Sequence, residues 1–246
     1  MIPYAASEDD EAMQIVPWTN YTLIAVNFLV FFYELAVGAQ GTAALTRLIN
    51  DFSLVPCEYT SQCAVYPGTP TPFWLTLFTS MFLHAGWTHI LGNMLYLWVF
   101  GSHIERSMGH LRYLLFYFAC GLGANALEIA TSASSNVPGL GASGAIAGVL
   151  GAYLVLYPTS SVRTLLPISW ILIPIRLPAW VLIAGWFLLQ LVSGIASLSS
   201  DAATAAGGVA YWAHVGGFVT GVVLIWLFRQ PDQVTKMRAY QSRAAP

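Results

Sequence analysis

Residues 138 to 158 read Pro-Gly-Leu-Gly-Ala-Ser-Gly-Ala-Ile-Ala-Gly-Val-Leu-Gly-Ala-Tyr-Leu-Val-Leu-Tyr-Pro, and the interpretation of the whole chain depends on them. The segment places one serine, Ser143, between glycines at the start of a long apolar helix. Gly139 and Gly141 allow backbone dihedrals that other residues rarely adopt, and a hydroxyl here lies beside the unpaired amides of a helix N-terminus. An anion that formed near Ser143 would therefore be stabilised.

Three interpretations of Ser143 compete. The first is a helix N-cap, because serine is a preferred cap residue. The second is close helix packing, because Gly144, Gly148 and Ala152 form a stripe of small residues at a spacing of four. The third is a catalytic nucleophile, which needs a general base at the same depth in the fold. The choice depends on the polar residues of the other apolar segments.

Composition predicts a membrane protein. Of the 246 residues, 57% are hydrophobic and only 8% are charged, and the mean hydropathy is +0.66. Because a soluble domain carries roughly a quarter charged residues, we expect this chain to lie in a bilayer. The net charge of −2 and the lack of a basic block give no indication of nucleic-acid binding. The expected partners are lipids and membrane-embedded chains.

The three cysteines fall into two groups. Cys120 lies inside an apolar segment and is interpreted as a small core residue. Cys57 and Cys63 lie close together in one loop, so they form a local disulfide if that loop faces an oxidising compartment and stay reduced otherwise. Their spacing does not resemble a metal site, and we predict none.

Hydropathy predicts an all-α polytopic membrane protein with six spans. The fourth span is short, about 15 residues, and we expect it to be central. The predicted spans cover residues 18–37, 87–104, 110–130, 143–157, 178–195 and 207–228. Residues 1–17 are predicted to be a disordered tail and 229–246 a polar, basic tail, so the membrane domain is 18–228.

Two of the loops that connect the spans have a composition that predicts a structure or a role. A long loop over residues 38–72 contains an amphipathic piece, and a short apolar helix over 73–83 follows it. The loop 197–208 is rich in Ala, Ser and Gly, which predicts a mobile lid.

Positive charge predicts the orientation. Arg47 is the one basic residue of the loops on the predicted outer side. The opposite loops and tail hold Arg106, Arg112, Arg163, Arg176, Arg229, Lys236, Arg238 and Arg243. This asymmetry predicts that both termini are cytoplasmic, in a plasma membrane, with the start of the fourth span near the outer face.

Polar residues of three parallel spans fall at one depth. Spans two, four and six run in the same direction, so equal residue counts from their outer ends mean similar depth. Span two carries His89 and Asn93 on one face, span four begins with Ser143, and span six carries His214 a few residues in. Strongly polar groups inside a bilayer are costly, which makes all four candidates for function.

His214 is the natural general base for Ser143. Gly217 and Gly221 share its helical face and allow span six to approach the glycine stripe of span four. A neutral imidazole can then accept the serine proton. The alternative for His214 is a packing histidine.

The remaining polar residues support this site or stand apart from it. His89 and Asn93 have two interpretations. In the first, they form an interhelical hydrogen bond that stabilises the fold. In the second, both donate hydrogen bonds to an oxyanion, together with the backbone amide of Ser143. His84 is predicted to support the loop. Glu128 is the nearest acid by depth, but its face is undetermined, so the site is predicted to be a Ser-His dyad.

At this point the sequence resembles the rhomboid family of intramembrane serine proteases. The resemblance covers about residues 73–225, and no single motif carries it, but the ordered set is specific. The motifs are Phe-Thr-Ser-Met-Phe-Leu-His (78–84), His-Ile-Leu-Gly-Asn (89–93), Phe-Gly-Ser-His-Ile-Glu-Arg (100–106), Gly-Ala-Ser-Gly (141–144), Pro-Ala-Trp (178–180) and Ala-His-Val-Gly-Gly (213–217).

The resemblance implies a six-helix core with the catalytic serine at the top of a short central helix, in a water-filled cavity. Carried onto this chain, Ser143 is the nucleophile and His214 the base, with His89, Asn93 and the backbone around Gly141 and Ser143 at the oxyanion. It implies transmembrane protein substrates, no metal and no cofactor. Trp186 and Phe187 in span five are then a candidate lateral gate.

One departure from some members concerns His214. The aromatic residue that packs on the catalytic histidine one turn after the nucleophile is Ala147 here. Tyr153, Tyr211 and Trp212 are the candidates to replace it.

Two other classes of function remain. A catalytically inactive binding protein on the same fold is disfavoured, because such relatives usually lack the serine or the histidine. A transporter or channel is disfavoured because the polar groups occupy only the outer third of the predicted membrane.

Overall fold

The computed structural model describes residues 1–6, 15–168, 171–198 and 209–243. The long and medium helices are α1 (Trp18–Gly38), α2 (Thr42–Phe52), α5 (Trp87–Tyr96), α6 (Ser102–Met108), α7 (His110–Thr131), α8 (Ser143–Leu156), α9 (Ala179–Ser197), α10 (Tyr211–Phe228) and α11 (Pro231–Arg243). The short elements are α3 (Pro56–Tyr59), α4 (Thr76–Thr79), the 3-10 turns Phe73–Leu75 and Ser80–Phe82, and the π-helical segment Leu97–Gly101.

The six predicted spans are confirmed, and the chain is an integral, multi-pass membrane protein. Four helices, α1, α7, α9 and α10, are long and apolar enough to cross a bilayer by themselves. The second span is composite, because the π-helical segment joins α5 to α6 without a break. The fourth, α8, has only 14 residues. It starts inside the bundle, where α7, α9 and α10 all contact it.

Glycine explains how closely α8 and α10 pack. A Cβ added at Gly217 would overlap the backbone carbonyl of Gly144, and one added at Gly221 would overlap that of Gly148. Only hydrogen fits at these crossing points, so the small-residue stripe is a real packing surface. Nearly every residue of α8 is buried as a result.

Loop 38–72 is tied to the segment that leads into α8. Its amphipathic piece forms α2 as predicted, and Cys57 and Cys63 form a disulfide with a Cα–Cα distance of 5.3 Å. Leu54 and Gly139 exchange backbone hydrogen bonds of 2.9 and 2.7 Å. This bridge fixes the backbone four residues before Ser143.

A three-stranded antiparallel sheet was not predicted. Its order is β1 (Ile2–Ala6), β2 (Ser161–Ile168), β3 (Ile171–Pro178). Ile2 pairs with Leu165 and Ala6 with Val162, so the prediction of a disordered tail is wrong for Ile2–Ala6. The pairing places the start of the chain beside the connection that follows α8, at the end of the bundle away from Ser143.

The last helix of the membrane domain ends at Phe228, the predicted boundary, but its start differs. The sixth span begins at Tyr211, four residues later than predicted, and the basic tail contains the helix α11. Most of the predicted lid, residues 199–208, lies outside the described residues.

The end of the bundle opposite to Ser143 has a structural polar cluster. The Glu105 carboxylate accepts the backbone N–H groups of Thr19 and Asn20 at 2.9 and 2.7 Å, which satisfies the first turn of α1. Part of the motif at 100–106 therefore holds two spans together.

Candidate active site

Ser143 and His214 form a direct hydrogen bond. The Nε2 atom of His214 lies 2.8 Å from the Oγ atom of Ser143. Ser143 is the first residue of α8, and Ala142 occupies the N-cap position without a side-chain cap. The N-cap interpretation is therefore wrong, and the Ser143 hydroxyl faces the imidazole of another helix.

Helix packing brings the two residues together. Gly217 lies three residues after His214 on α10, and Gly144 directly follows Ser143 on α8, so the Gly217–Gly144 contact lies next to the hydrogen bond. Ser143 and His214 thus lie at the same level of the bundle.

Sequence reasoning missed Gln190, which contacts the other nitrogen of the imidazole. Its Oε1 atom lies 2.7 Å from Nδ1 of His214. On the same face of α9, the Trp186 ring lies 5.8 Å from the His214 ring, centre to centre. The one signal in the sequence was a polar residue inside an apolar span.

The aromatic contact on His214 thus comes from Trp186 on α9. Of the three residues suggested for this role, Tyr153 lies far from the site, because its hydroxyl bonds to Ser160 Oγ at 3.0 Å beyond the other end of α8. Trp212 packs toward Gly194 of α9.

Glu128 holds the start of α10. Its carboxylate accepts the backbone N–H of Ala213 at 3.0 Å and the hydroxyl of Ser132 at 3.0 Å. Both ring nitrogens of His214 contact other groups, Ser143 and Gln190. Glu128 therefore fixes the turn that carries His214 and makes no hydrogen bond to its ring among those the structure describes.

Gly141 brings the backbone before Ser143 against the candidate oxyanion donors. Its φ angle is +120°, a conformation that favours glycine, and its N–H donates to the Ser80 carbonyl at 2.8 Å. A Cβ at Gly141 would lie 2.8 Å from the His89 ring and 3.6 Å from Nδ2 of Asn93. The His89 and Asn93 side chains thus converge on the chain that enters α8.

The Asn93 side chain is held by His84. Nδ1 of His84 lies 3.1 Å from the Phe82 carbonyl oxygen, so Nδ1 donates, and Nε2 is left to accept a hydrogen bond from Nδ2 of Asn93 at 3.1 Å. The Glu34 carboxylate of α1 is buried and accepts the backbone N–H of His84 at 3.0 Å. His84 was expected only to support the loop, and it contacts a candidate site residue.

A cavity of about 720 Å³ opens beside these groups. That volume is typical of sites that hold an organic ligand. Its walls come from α5, α8, α9 and the segments before α8 and α10. The polar lining residues are Thr88, His89, Asn93, Tyr96, Ser143 and His214, and Leu140, Ile146, Leu150 and Trp186 are among the apolar ones.

The model of one protein family, described as the Rhomboid domain, matches residues 72–231. The chain belongs to the rhomboid family. The matched region runs from the first 3-10 turn to the beginning of α11 and contains every residue of the candidate site.

Several curated rhomboid proteins are similar to this chain. Rhomboid-like protein 11, chloroplastic, of Arabidopsis thaliana is 32% identical over 162 residues, which are 63% of this chain and 53% of that protein. Rhomboid protease GluP of Bacillus subtilis is 36% identical over 138 residues, 56% of this chain and 24% of that protein. Rhomboid protein 1, mitochondrial, of Saccharomyces cerevisiae is 24% identical over 229 residues, 90% of this chain and 56% of that protein. This rhomboid thus spans about half or less of the length of these relatives.

Proposed function

We propose that this rhomboid is an intramembrane serine endopeptidase that cuts other membrane proteins in or near their transmembrane segments. The observation that carries the proposal is the 2.8 Å hydrogen bond between Ser143 Oγ and His214 Nε2. A serine hydroxyl is a weak nucleophile unless a base takes its proton, and a contact of this length provides that base.

The reaction proceeds through an acyl-enzyme. Ser143 Oγ attacks the scissile carbonyl carbon while its proton passes to His214 Nε2, and the carbonyl electrons move onto the oxygen. The tetrahedral intermediate collapses, the C–N bond breaks, and His214 gives its proton to the leaving amine. Water then attacks the ester with His214 again as base, which releases the acid and restores Ser143.

The oxyanion is stabilised by donors that are already in place. Asn93 donates one amide hydrogen to His84 and has a second one available. His89 accepts the Ala85 N–H at its Nδ1 atom, at 3.4 Å, so the proton of the neutral His89 ring is on Nε2, which can donate. The backbone N–H of Ser143 is free of intrahelical bonds at the first position of α8. Each such donor typically contributes about two to three powers of ten in rate.

The substrate enters between α5 and α9. Trp186 from α9 and Tyr96 from α5 line the 720 Å³ cavity that contains Ser143. An unwound segment of a substrate helix enters this space from the lipid and presents a carbonyl to Ser143. Apolar lining favours an apolar peptide, and loss of helical hydrogen bonds requires a segment with helix-breaking residues.

We place both termini in the cytoplasm of a cell bounded by a plasma membrane, because of the basic residues on that side. Single cysteines test this orientation, since native Cys57 and Cys63 are paired and Cys120 is buried. A membrane-impermeant maleimide should label Gln40→Cys on intact cells and Asp232→Cys only after lysis. The reverse pattern would contradict the orientation.

Cleavage in proteoliposomes tests the proposed function. Wild type, Ser143→Ala and His214→Ala are reconstituted with a single-span model substrate that has small residues beside a helix-breaking pair. Wild type should produce two fragments and neither variant should produce any, although all three proteins melt at similar temperatures. Cleavage by Ser143→Ala, or an intact substrate with wild type, would overturn the proposal; in the second case, binding without cleavage becomes the better account.

A further inference from the structure

We propose that Gln190 is a positioning residue that fixes the tautomer and orientation of His214, so that the site is a Ser143–His214–Gln190 hydrogen-bonded chain. This inference rests on the proposed function, because it assigns a role in the same reaction. The carrying observation is the 2.7 Å contact between Gln190 Oε1 and His214 Nδ1.

The contact has a chemical direction. The oxygen of an amide accepts hydrogen bonds and cannot donate them, so Nδ1 of His214 must carry the proton. In a neutral imidazole the other nitrogen then has a free lone pair, and Nε2 presents it to Ser143 Oγ at 2.8 Å. This is the tautomer that a general base requires. The opposite tautomer would donate to Ser143 and leave its proton in place.

Two residues of α9 act on the ring together. Trp186 and Gln190 are four residues apart and share one helical face, so the indole covers the ring while the amide binds its edge. Ala147, where some relatives carry an aromatic, is fully buried and too small to restrain His214 from α8. The restraint on His214 therefore comes from α9, and Gln190 supplies its directional part.

Among the described residues, few titratable groups lie around His214. Ser143 on α8 faces Nε2, and His89 and Tyr96 on α5 line the same cavity. Glu128 on α7 lies behind the first turn of α10, where it accepts the Ala213 N–H. No described carboxylate bonds to Nδ1, so the neutral amide of Gln190 is the group that decides the tautomer.

Matched variants isolate the hydrogen bond. Gln190→Met keeps the length of the side chain and removes the acceptor, whereas Gln190→Glu keeps an acceptor oxygen. Leu189→Ala is the control, because Leu189 is the preceding residue of α9 and is 66% exposed, on the lipid side. Thermal melts of the detergent-solubilised proteins identify any variant that is merely misfolded.

The first readout does not depend on activity. Long-range ¹H–¹⁵N spectra of protein labelled on its five histidine rings, with His214 assigned from His214→Ala, report which nitrogen carries the proton. Wild type and Leu189→Ala should show His214 protonated on Nδ1, and Gln190→Met should lose that state. A His214 protonated on Nε2 in wild type, or unchanged in Gln190→Met, would overturn the proposal even if the protein cleaves substrate.

The second readout is kinetic. Gln190→Met should lower kcat about tenfold with little change in KM, as expected for the loss of one hydrogen bond that matters in the transition state. Gln190→Glu should recover most of this loss, and the acid limb of its pH–rate profile should move to higher pH, because a carboxylate stabilises the imidazolium. Equal losses in both variants with parallel falls in melting temperature would mean a structural role. An inactive wild type with the expected tautomers would instead reject the proposed function alone.

Discussion

Gly217→Ala is expected to separate α8 from α10 and to disable the site at the same time. The added Cβ would overlap the backbone carbonyl of Gly144, which has no flexible end that could move aside. The Cβ would lie 1.9 Å from the carbonyl oxygen, whereas real Cβ contacts are at least 3.0 Å long. The helix α10 therefore has to shift by about 1 Å. The neighbouring Gly216 limits the direction of the shift, because its own α-carbon faces the Gly123 carbonyl on α7.

The magnitude follows from the geometry. A shift of about 1 Å lengthens the 2.8 Å contact between Ser143 Oγ and His214 Nε2 to about 3.8 Å, which is no longer a hydrogen bond. Misplacement of this size costs on the order of 100-fold in rate. Overpacking in a buried contact also costs about 1–3 kcal/mol of stability, which a thermal melt detects.

The assay compares the substrate cleavage rate and melting temperature of Gly217→Ala with those of wild type. Gly185→Ala on α9 is the matched control, because no atom lies within 4 Å of the added Cβ. We expect the control to melt at or above the wild-type temperature, since alanine favours helix by about 1 kcal/mol over glycine. If Gly217→Ala is as stable and as active as the control, the helix contact does not set the Ser143–His214 distance.

Three further results are expected. Asn93→Ala should lower kcat about 100-fold at an unchanged melting temperature. His84→Phe should lower kcat less, because Asn93 then loses only its orientation. Equal losses of kcat for the two variants in a proteoliposome assay would contradict this expectation. Burial raises the pKa of Glu58 in loop 38–72, and the charge of Asp51 adds to the effect. The folded state therefore favours the protonated carboxyl, and the free energy of unfolding is expected to fall as pH rises through that pKa. Glu58→Gln should raise the melting temperature at about pH 8 but not at about pH 4. Alkylation should add two groups at Cys57 and Cys63 only after reduction, as intact mass would report, and modification without reductant would argue against the bond.

The spans and the core of the site could be predicted because each rests on a local pattern. Hydropathy alone predicts the six spans, and a constant rise per helical residue places His89, Asn93, Ser143 and His214 at one depth. Glycine spacing on two segments predicts the crossing of α8 and α10. None of these inferences needs knowledge of a distant contact.

The missed features depend on pairings that no local pattern encodes. Pro167 and Pro174 lie in the hairpin of β2 and β3, and proline argues against a strand because it cannot donate to the ladder. β1 gains its partner only through the fold, since Ile2 pairs with Leu165. A three-stranded sheet on a helical bundle was therefore not predictable.

Gln190 and His84 illustrate the same limit within the site. Spacing places Gln190 on one face with Trp186, but it does not say that this face meets α10. His84 precedes α5, and only the bend at Leu83–Gly86 returns its ring to Asn93. Orientation of one helix about its axis decides both contacts.

The most direct test of the account is covalent labelling of Ser143. Solubilised wild type is treated with a fluorophosphonate, digested, and the modified residue is identified by mass spectrometry, with Ser143→Ala and His214→Ala in parallel. We expect one modified serine, Ser143, and no modification in either variant, because the hydroxyl reacts only when His214 takes its proton. Modification of Ser143 at the wild-type rate in His214→Ala, or none in wild type, would contradict the central claim that these two residues form an activated pair.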